Sequence, residues 1–115
     1  MAMVGVEWVV DADGCAPEAL RDVARLRTLL DRVVHELELR VVGQLVHPFP
    51  SPGGITAMYL LAESHLTCHT YPESGTATFN LACCRPRPEW PWAARLAEAL
   101  TATSVTVRKL ERGSP

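Results

Sequence analysis

The densest run of chemically capable side chains is Glu63-Ser64-His65-Leu66-Thr67-Cys68-His69-Thr70-Tyr71-Pro72-Glu73. It holds a hydroxyl nucleophile, two imidazoles, a thiol and two carboxylates. Such groups can attack a carbonyl, move protons near neutral pH and hold hydroxyl-bearing ligands. The common motifs are absent. There is no G-x-S-x-G elbow and no phosphate loop. A Ser-His-Asp hydrolase needs an orienting acid, and no Asp follows Asp31. His65, Cys68 and His69 are close in sequence, but no C-x-x-C pair or H-E-x-x-H run is present, so no metal site is expected. Cys15 and Cys68 read as small buried hydrophobes, and His35 as a solvated helix residue.

The elements that must position this run follow from periodicity. Residues 4–10 form a Val- and Trp-rich strand, and Asp13-Gly14 marks a turn. Pro17 suits a first helical position. Leu20, Val23, Leu26, Leu30, Val33 and Leu37 then recur at helical steps and predict one amphipathic helix over 17–38. A strand is expected over 39–47, then the proline- and glycine-rich loop PFPSPGG. A strand over 55–62 is buried on both faces by its composition, and 63–70 continues extended. Residues 76–84 are a further strand, with Ala77, Phe79, Leu81 and Cys83 on the core face and Cys84 on the more polar one. A second helix over 90–101, a closing strand over 104–110 and a frayed tail ERGSP complete the chain.

The order β-α-β-β-β-α-β predicts a two-layer α/β sandwich (α+β), a mostly antiparallel sheet with both helices on one face. The uncovered sheet face is a candidate dimer surface. At 115 residues and 48% apolar composition the chain suits one folded domain, 1–115. A formal charge of −2 gives no field that would draw nucleic acid. No run suits a membrane span, and the first ten residues lack the basic start of a secretory signal, so a cytoplasmic protein with free thiols is expected.

The central run resembles the bacterial S-adenosylmethionine decarboxylase proenzyme family, the short pyruvoyl-dependent class, whose motif reads ESHxxxHTxPE. Here it stands as Glu63-Ser64-His65, His69-Thr70 and Pro72-Glu73. His47-Pro48-Phe49 and Gly54-Ile55-Thr56 upstream, Cys84 downstream and Glu111-Arg112-Gly113 near the end are also similar. The resemblance covers residues 4 to 113 and is strongest from 47 to 84.

It implies self-cleavage between Glu63 and Ser64 into chains 1–63 and 64–115. Ser64 would become a covalent pyruvoyl group that forms a Schiff base with the substrate, so no external cofactor is needed. By the same resemblance His69 is the processing acid/base, Thr56 assists processing, and Cys84 returns a proton after decarboxylation. Phe49 and Tyr71 would sandwich an adenine, and Glu73 would hold ribose hydroxyls. The implied product is the aminopropyl donor for spermidine and other polyamines. The implied assembly is a homodimer of cleaved protomers, with each pocket lined by both copies and no nucleic-acid or membrane partner. His65 receives no catalytic assignment and reads as structural.

Several residues depart from the family pattern around its cysteine, VDxFTCG. An acid is replaced by Asn80, an aromatic by Ala82 and a glycine by Arg85. The first strand has Val6-Glu7-Trp8 where a GxHL histidine is common, Ala57 replaces a Gly, and Tyr71 replaces a Trp. Loss of the acid weakens complementarity to a cationic substrate, and Arg85 would depress the thiol's pKa. Two alternatives follow: decarboxylation of another amino acid, such as ornithine or arginine, or a non-processing relative that pairs with an active partner.

Overall fold

The computed structural model describes residues 4–113. The elements are β1 (Gly5–Asp13), α1 (Pro17–Leu20), α2 (Val23–Glu36), β2 (Val41–Pro48), β3 (Ile55–Leu61), β4 (Ser64–Tyr71), a 3₁₀ turn (Pro72–Ser74), β5 (Thr76–Cys83), α3 (Trp92–Leu100) and β6 (Ser104–Arg112). All six strands join one sheet in the order β2-β3-β4-β5-β1-β6. Every neighbouring pair is antiparallel.

Alternation decides which side is core. Trp8 and Val10 of β1, Ile55, Ala57 and Tyr59 of β3, Leu66 and Cys68 of β4, and Ala77, Phe79, Leu81 and Cys83 of β5 are all buried. They share one core with Leu26, Leu29, Leu30 and Val33 of α2 and Leu96 and Leu100 of α3. The helices therefore cover one face, which gives the expected two-layer α+β sandwich. Tyr59 Oη donates to Asp31 Oδ1 at 2.8 Å and ties α2 to the sheet. Burial, with Asp31 beside it, pushes the Tyr59 hydroxyl up to about 12. Cys15 and Cys68 are buried as expected, and His35 is exposed.

Four expectations change. The predicted helix 17–38 is two helices, because Asp22 takes an extended conformation and its Oδ1 accepts from Arg25 N at 3.1 Å, capping a new start. The stretch 55–70 is two strands: the chain reverses at Ala62-Glu63, with Leu61 opposite Ser64. The third strand is not buried on both faces, since Met58 and Leu60 are 53% and 57% exposed. Among the described residues, no element covers that side. The expected frayed tail is strand as far as Arg112, whose carbonyl accepts from Val4 N at 2.8 Å; Ser114 and Pro115 lie outside the described residues. Among the described residues, no helix is long and apolar enough to cross a membrane.

Candidate active site

The hairpin at Ala62-Glu63 puts the Glu63–Ser64 peptide at the edge of β4 and beside the end of β5, where Ser64 pairs with Cys83. Ser64 has φ 152°, a region that favours glycine. The Glu63 carbonyl oxygen accepts the backbone N–H of Cys84 at 3.0 Å. A backbone donor thus points at the carbonyl that precedes Ser64. Gly5 lets β1 close on the end of β5: a Cβ there would meet the Cys83 carbonyl oxygen at 2.6 Å. The Glu63 side chain is gripped as well. Arg87 Nη2 donates to its Oε1. Arg85 Nε lies 3.1 Å from Oε2 as an ion pair, but off hydrogen-bond alignment, so Oε2 has no hydrogen-bond partner. Arg85 therefore does not act on the thiol alone, as its position in the sequence suggests; its charge is paired with Glu63.

The neighbouring cysteines differ. Cys83 is buried, and burial pushes its thiol up to about 11. Cys84, just past the end of β5, is exposed.

A chain of hydrogen bonds runs from Ser64 across the open face. Ser64 Oγ is 3.1 Å from His65 Nδ1, and His65 Nε2 is 3.1 Å from Asn80 Oδ1. Asn80 Nδ2 donates to Glu7 Oε2 at 2.6 Å, and Arg112 Nη1 donates to Glu7 Oε1 at 2.7 Å. The carboxylate missing at position 80 is thus supplied one strand over, by Glu7. The Asn80 hydrogen bond, helped by Arg112 against the desolvation of a partly covered group, holds the Glu7 carboxyl below the usual range. Sequence reasoning passes over Glu7 and His65. The available signal is a carboxylate alternating with Val6 and Trp8 on a strand. Ala82 sits between His65 and Glu7 in register, so small side-chain volume leaves room beside both.

The remaining site residues gather at the other end of β4. Thr56 Oγ1 and His69 Nδ1 are 2.5 Å apart, facing each other across β3 and β4. Tyr71 stacks obliquely on His69, ring centroids 4.3 Å apart, and Phe49 lies 6.2 Å from the same imidazole. Phe49, His69, Tyr71 and Glu73 line a hollow of about 200 Å³. Gly54 closes its floor, since a Cβ there would meet the Thr70 carbonyl oxygen at 2.6 Å. Phe49 and Tyr71 are 46% and 40% exposed, so their rings remain open to a ligand.

Asn80 lines one hollow of about 440 Å³ with Thr56 and His69, but Ser64 stands apart from that histidine within one chain. Ser64 and His69 both belong to β4, and five residues of strand put them about 17 Å apart. The exposed side chains of Met58, Leu60 and Leu45 lie on the uncovered side of the sheet near them.

An uncovered antiparallel sheet, helices on its other face and a Glu-Ser peptide at positive φ beside a pair of cysteines define an α+β scaffold. The chain belongs to the S-adenosylmethionine decarboxylase family, whose profile matches residues 6–113. It is 34% identical to the S-adenosylmethionine decarboxylase proenzyme of Parasynechococcus marenigrum, over 98% of this chain and 88% of that protein. The proenzyme of Pyrococcus furiosus is 30% identical over 98% of this chain and 81% of its own length. The crystal structure of the adenosylmethionine decarboxylase from Aquifex aeolicus superposes with a TM-score of 0.83 at 26% identity, covering 100% of this chain and 95% of the other.

Proposed function

We propose that the chain is a pyruvoyl-dependent carboxy-lyase that cleaves itself between Glu63 and Ser64 and then decarboxylates S-adenosylmethionine, giving the aminopropyl donor for polyamines. The observation that carries this reading is the strained Ser64 next to a Glu63 carbonyl that accepts the Cys84 N–H at 3.0 Å. Ser64 Oγ adds to the Glu63 carbonyl carbon, and the oxyanion develops where that N–H already points. Collapse breaks the C–N bond, and the amide nitrogen takes the hydroxyl's proton, leaving an ester. His69, held by Thr56, then removes the Ser64 α-proton. Glu63 leaves as a carboxylate, and hydrolysis releases ammonia to leave the pyruvoyl group on chain 64–115.

The residues present fit that group: Ser64 pairs with Cys83 at the start of β4, and the next residue along the chain from Cys83 is the exposed Cys84. The pyruvoyl group supplies a carbonyl that captures the substrate amine and takes up the electrons released with carbon dioxide. Cys84 holds the proton to be returned to the α-carbon. Phe49 and Tyr71 offer ring faces to the adenine and the sulfonium, and Glu73 accepts from ribose hydroxyls. Glu7, its charge paired with Arg112, acts on this face through its hydrogen bond to Asn80. The free thiols suit a cytoplasmic location.

The site is completed by a second copy. Ser64 lies about 17 Å along β4 from His69, which holds Thr56 and the aromatic pair beside it. An isologous dimer through the uncovered face brings one copy's serine end to the other's histidine end. It also buries Met58, Leu60 and Leu45.

Intact mass spectrometry tests the first step: the purified protein should appear as chains 1–63 and 64–115, and Ser64→Ala as one chain. Release of carbon dioxide from S-adenosylmethionine, ornithine and arginine, compared side by side, tests the substrate. Faster release from either amino acid refutes this choice, and a chain that never splits refutes the enzyme reading.

A further inference from the structure

We infer that His65 is the base that takes the proton of the Ser64 hydroxyl in the first processing step, and that Asn80 and Glu7 fix the tautomer that lets it do so. The inference rests on self-cleavage at Glu63–Ser64 and assigns its first proton transfer.

An ionised carboxylate only accepts hydrogen bonds. Glu7 is doubly donated to, by Asn80 and by Arg112, and these contacts keep it ionised. Asn80 must therefore turn its NH₂ to Glu7, which leaves its Oδ1 toward His65 at 3.1 Å. That oxygen only accepts, so His65 must carry its proton on Nε2. Nδ1 is then the unprotonated nitrogen, 3.1 Å from Ser64 Oγ. The Ser64 O–H has to donate to it. One acceptor-only group on β1 thus sets a basic nitrogen at the nucleophile, through two residues on two other strands.

His69 cannot do this within the same chain, since it lies about 17 Å along β4. Its place next to Thr56 and the aromatic pair suits later proton transfers. The inferred step balances. The Oγ proton passes to Nδ1 as the Oγ–C bond forms, and the imidazolium returns it to the departing amide nitrogen as the C–N bond breaks. His65 ends neutral, with the same tautomer.

The test uses the full chain and follows splitting by mass, with hydroxylamine as a probe because it cuts esters and spares amides. Wild-type protein should split. His65→Gln should split at least about 100-fold more slowly, the usual loss for a missing general base. Its unsplit chain should resist hydroxylamine, because no ester has formed. The second variant reverses the relay: Glu7→Lys with Arg112→Glu keeps an ion pair but offers Asn80 a donor. Asn80 then flips and donates to Nε2, moving the His65 proton to Nδ1. Splitting should slow although neither changed residue touches Ser64. In a Ser64→Ala background, nitrogen NMR should show the protonated nitrogen change from Nε2 to Nδ1.

Wild-type splitting with an unchanged His65→Gln rate overturns this inference and leaves self-cleavage standing. Hydroxylamine cutting of unsplit His65→Gln at residue 63 also overturns it, since the ester would have formed without the imidazole. A wild-type chain that stays whole overturns the inference and the proposed function together. If His65→Gln does not fold, the reversed pair decides: an unmoved proton and an unchanged rate overturn the inference.

Discussion

Co-expression of Ser64→Ala with His69→Ala tests whether the site is built from two copies. Ser64 starts β4 and His69 stands near its end. At about 3.4 Å per residue the strand separates them by about 17 Å, far beyond the ~3 Å reach of a proton transfer. No side-chain rotation closes that gap, and β4 is held on both edges by β3 and β5. The alternative to a second copy is therefore that His69 has no part in processing.

Each variant alone should remain a single chain. Mixed in equal amounts, random pairing makes about half of all dimers mixed. In a mixed dimer the His69→Ala copy keeps Ser64 and receives His69 from its partner, so that one site is whole. The other site lacks both groups. About half of the His69→Ala chains should then split, about a quarter of all chains. Turnover of S-adenosylmethionine should return to about a quarter of the wild-type value. Mass spectrometry with one variant isotopically labelled identifies which chain is cut, and only the His69→Ala chain should be. No splitting in a mixture that demonstrably forms mixed dimers refutes the two-copy site. Full splitting of His69→Ala alone refutes the processing role of His69.

Cys84→Ala should still split, because alanine retains the backbone N–H that meets the Glu63 carbonyl; turnover should fall by about 100-fold or more, and unchanged turnover would remove the proton-donor role. Met58→Asp should yield a monomer by sedimentation that neither splits nor turns over, since it puts a charge on the face a partner must cover. Thr70 is the buried hydroxyl that accepts from Ile55 N at 2.9 Å and donates to Leu20 O at 2.7 Å. Thr70→Val leaves both groups unpaired and should cost about 2–4 kcal/mol in denaturant unfolding. Glu7 has a folded-state pKa below its ordinary value of 4.5. Its stabilising contribution is therefore complete above that value and is lost as pH falls through the lower one. Wild-type protein should lose more thermal stability between about pH 5 and 3 than Glu7→Gln, and parallel losses would refute it.

The sandwich was legible because its periodicities are strong. The stripe from Leu26 to Leu37 and the alternation of Ala77, Phe79, Leu81 and Cys83 each allow one face to be buried. The break inside 55–70 was not legible, because Ala62-Glu63 contains none of the residues that usually mark a turn, and the positive φ falls on a serine. The apolar look of β3 misled for a related reason. Met58 and Leu60 suggest a fully buried strand, yet one chain supplies cover for a single face. Their composition suits the partner-covered face proposed above, which a reading of one chain assigns to the core. The resemblance named the residues around Ser64 and His69, but not that they stand at opposite ends of one strand.

Glu7 and Asn80 show why a list of departures misleads. Taken singly, Asn80 is a lost acid and Glu7 a missing histidine, and both weaken the case for chemistry. They are 73 positions apart in sequence and 2.6 Å apart in space. An asparagine beside a histidine leaves either tautomer open, because its amide can face either way. A glutamate on the next strand closes that choice, and Arg112 at the far end of β6 keeps the glutamate charged. The two departures act as one unit with a definite polarity, ending on the serine whose backbone is already strained. Substitutions that look like decay at each position are, in the folded sheet, joined in one hydrogen-bonded chain that ends on Ser64.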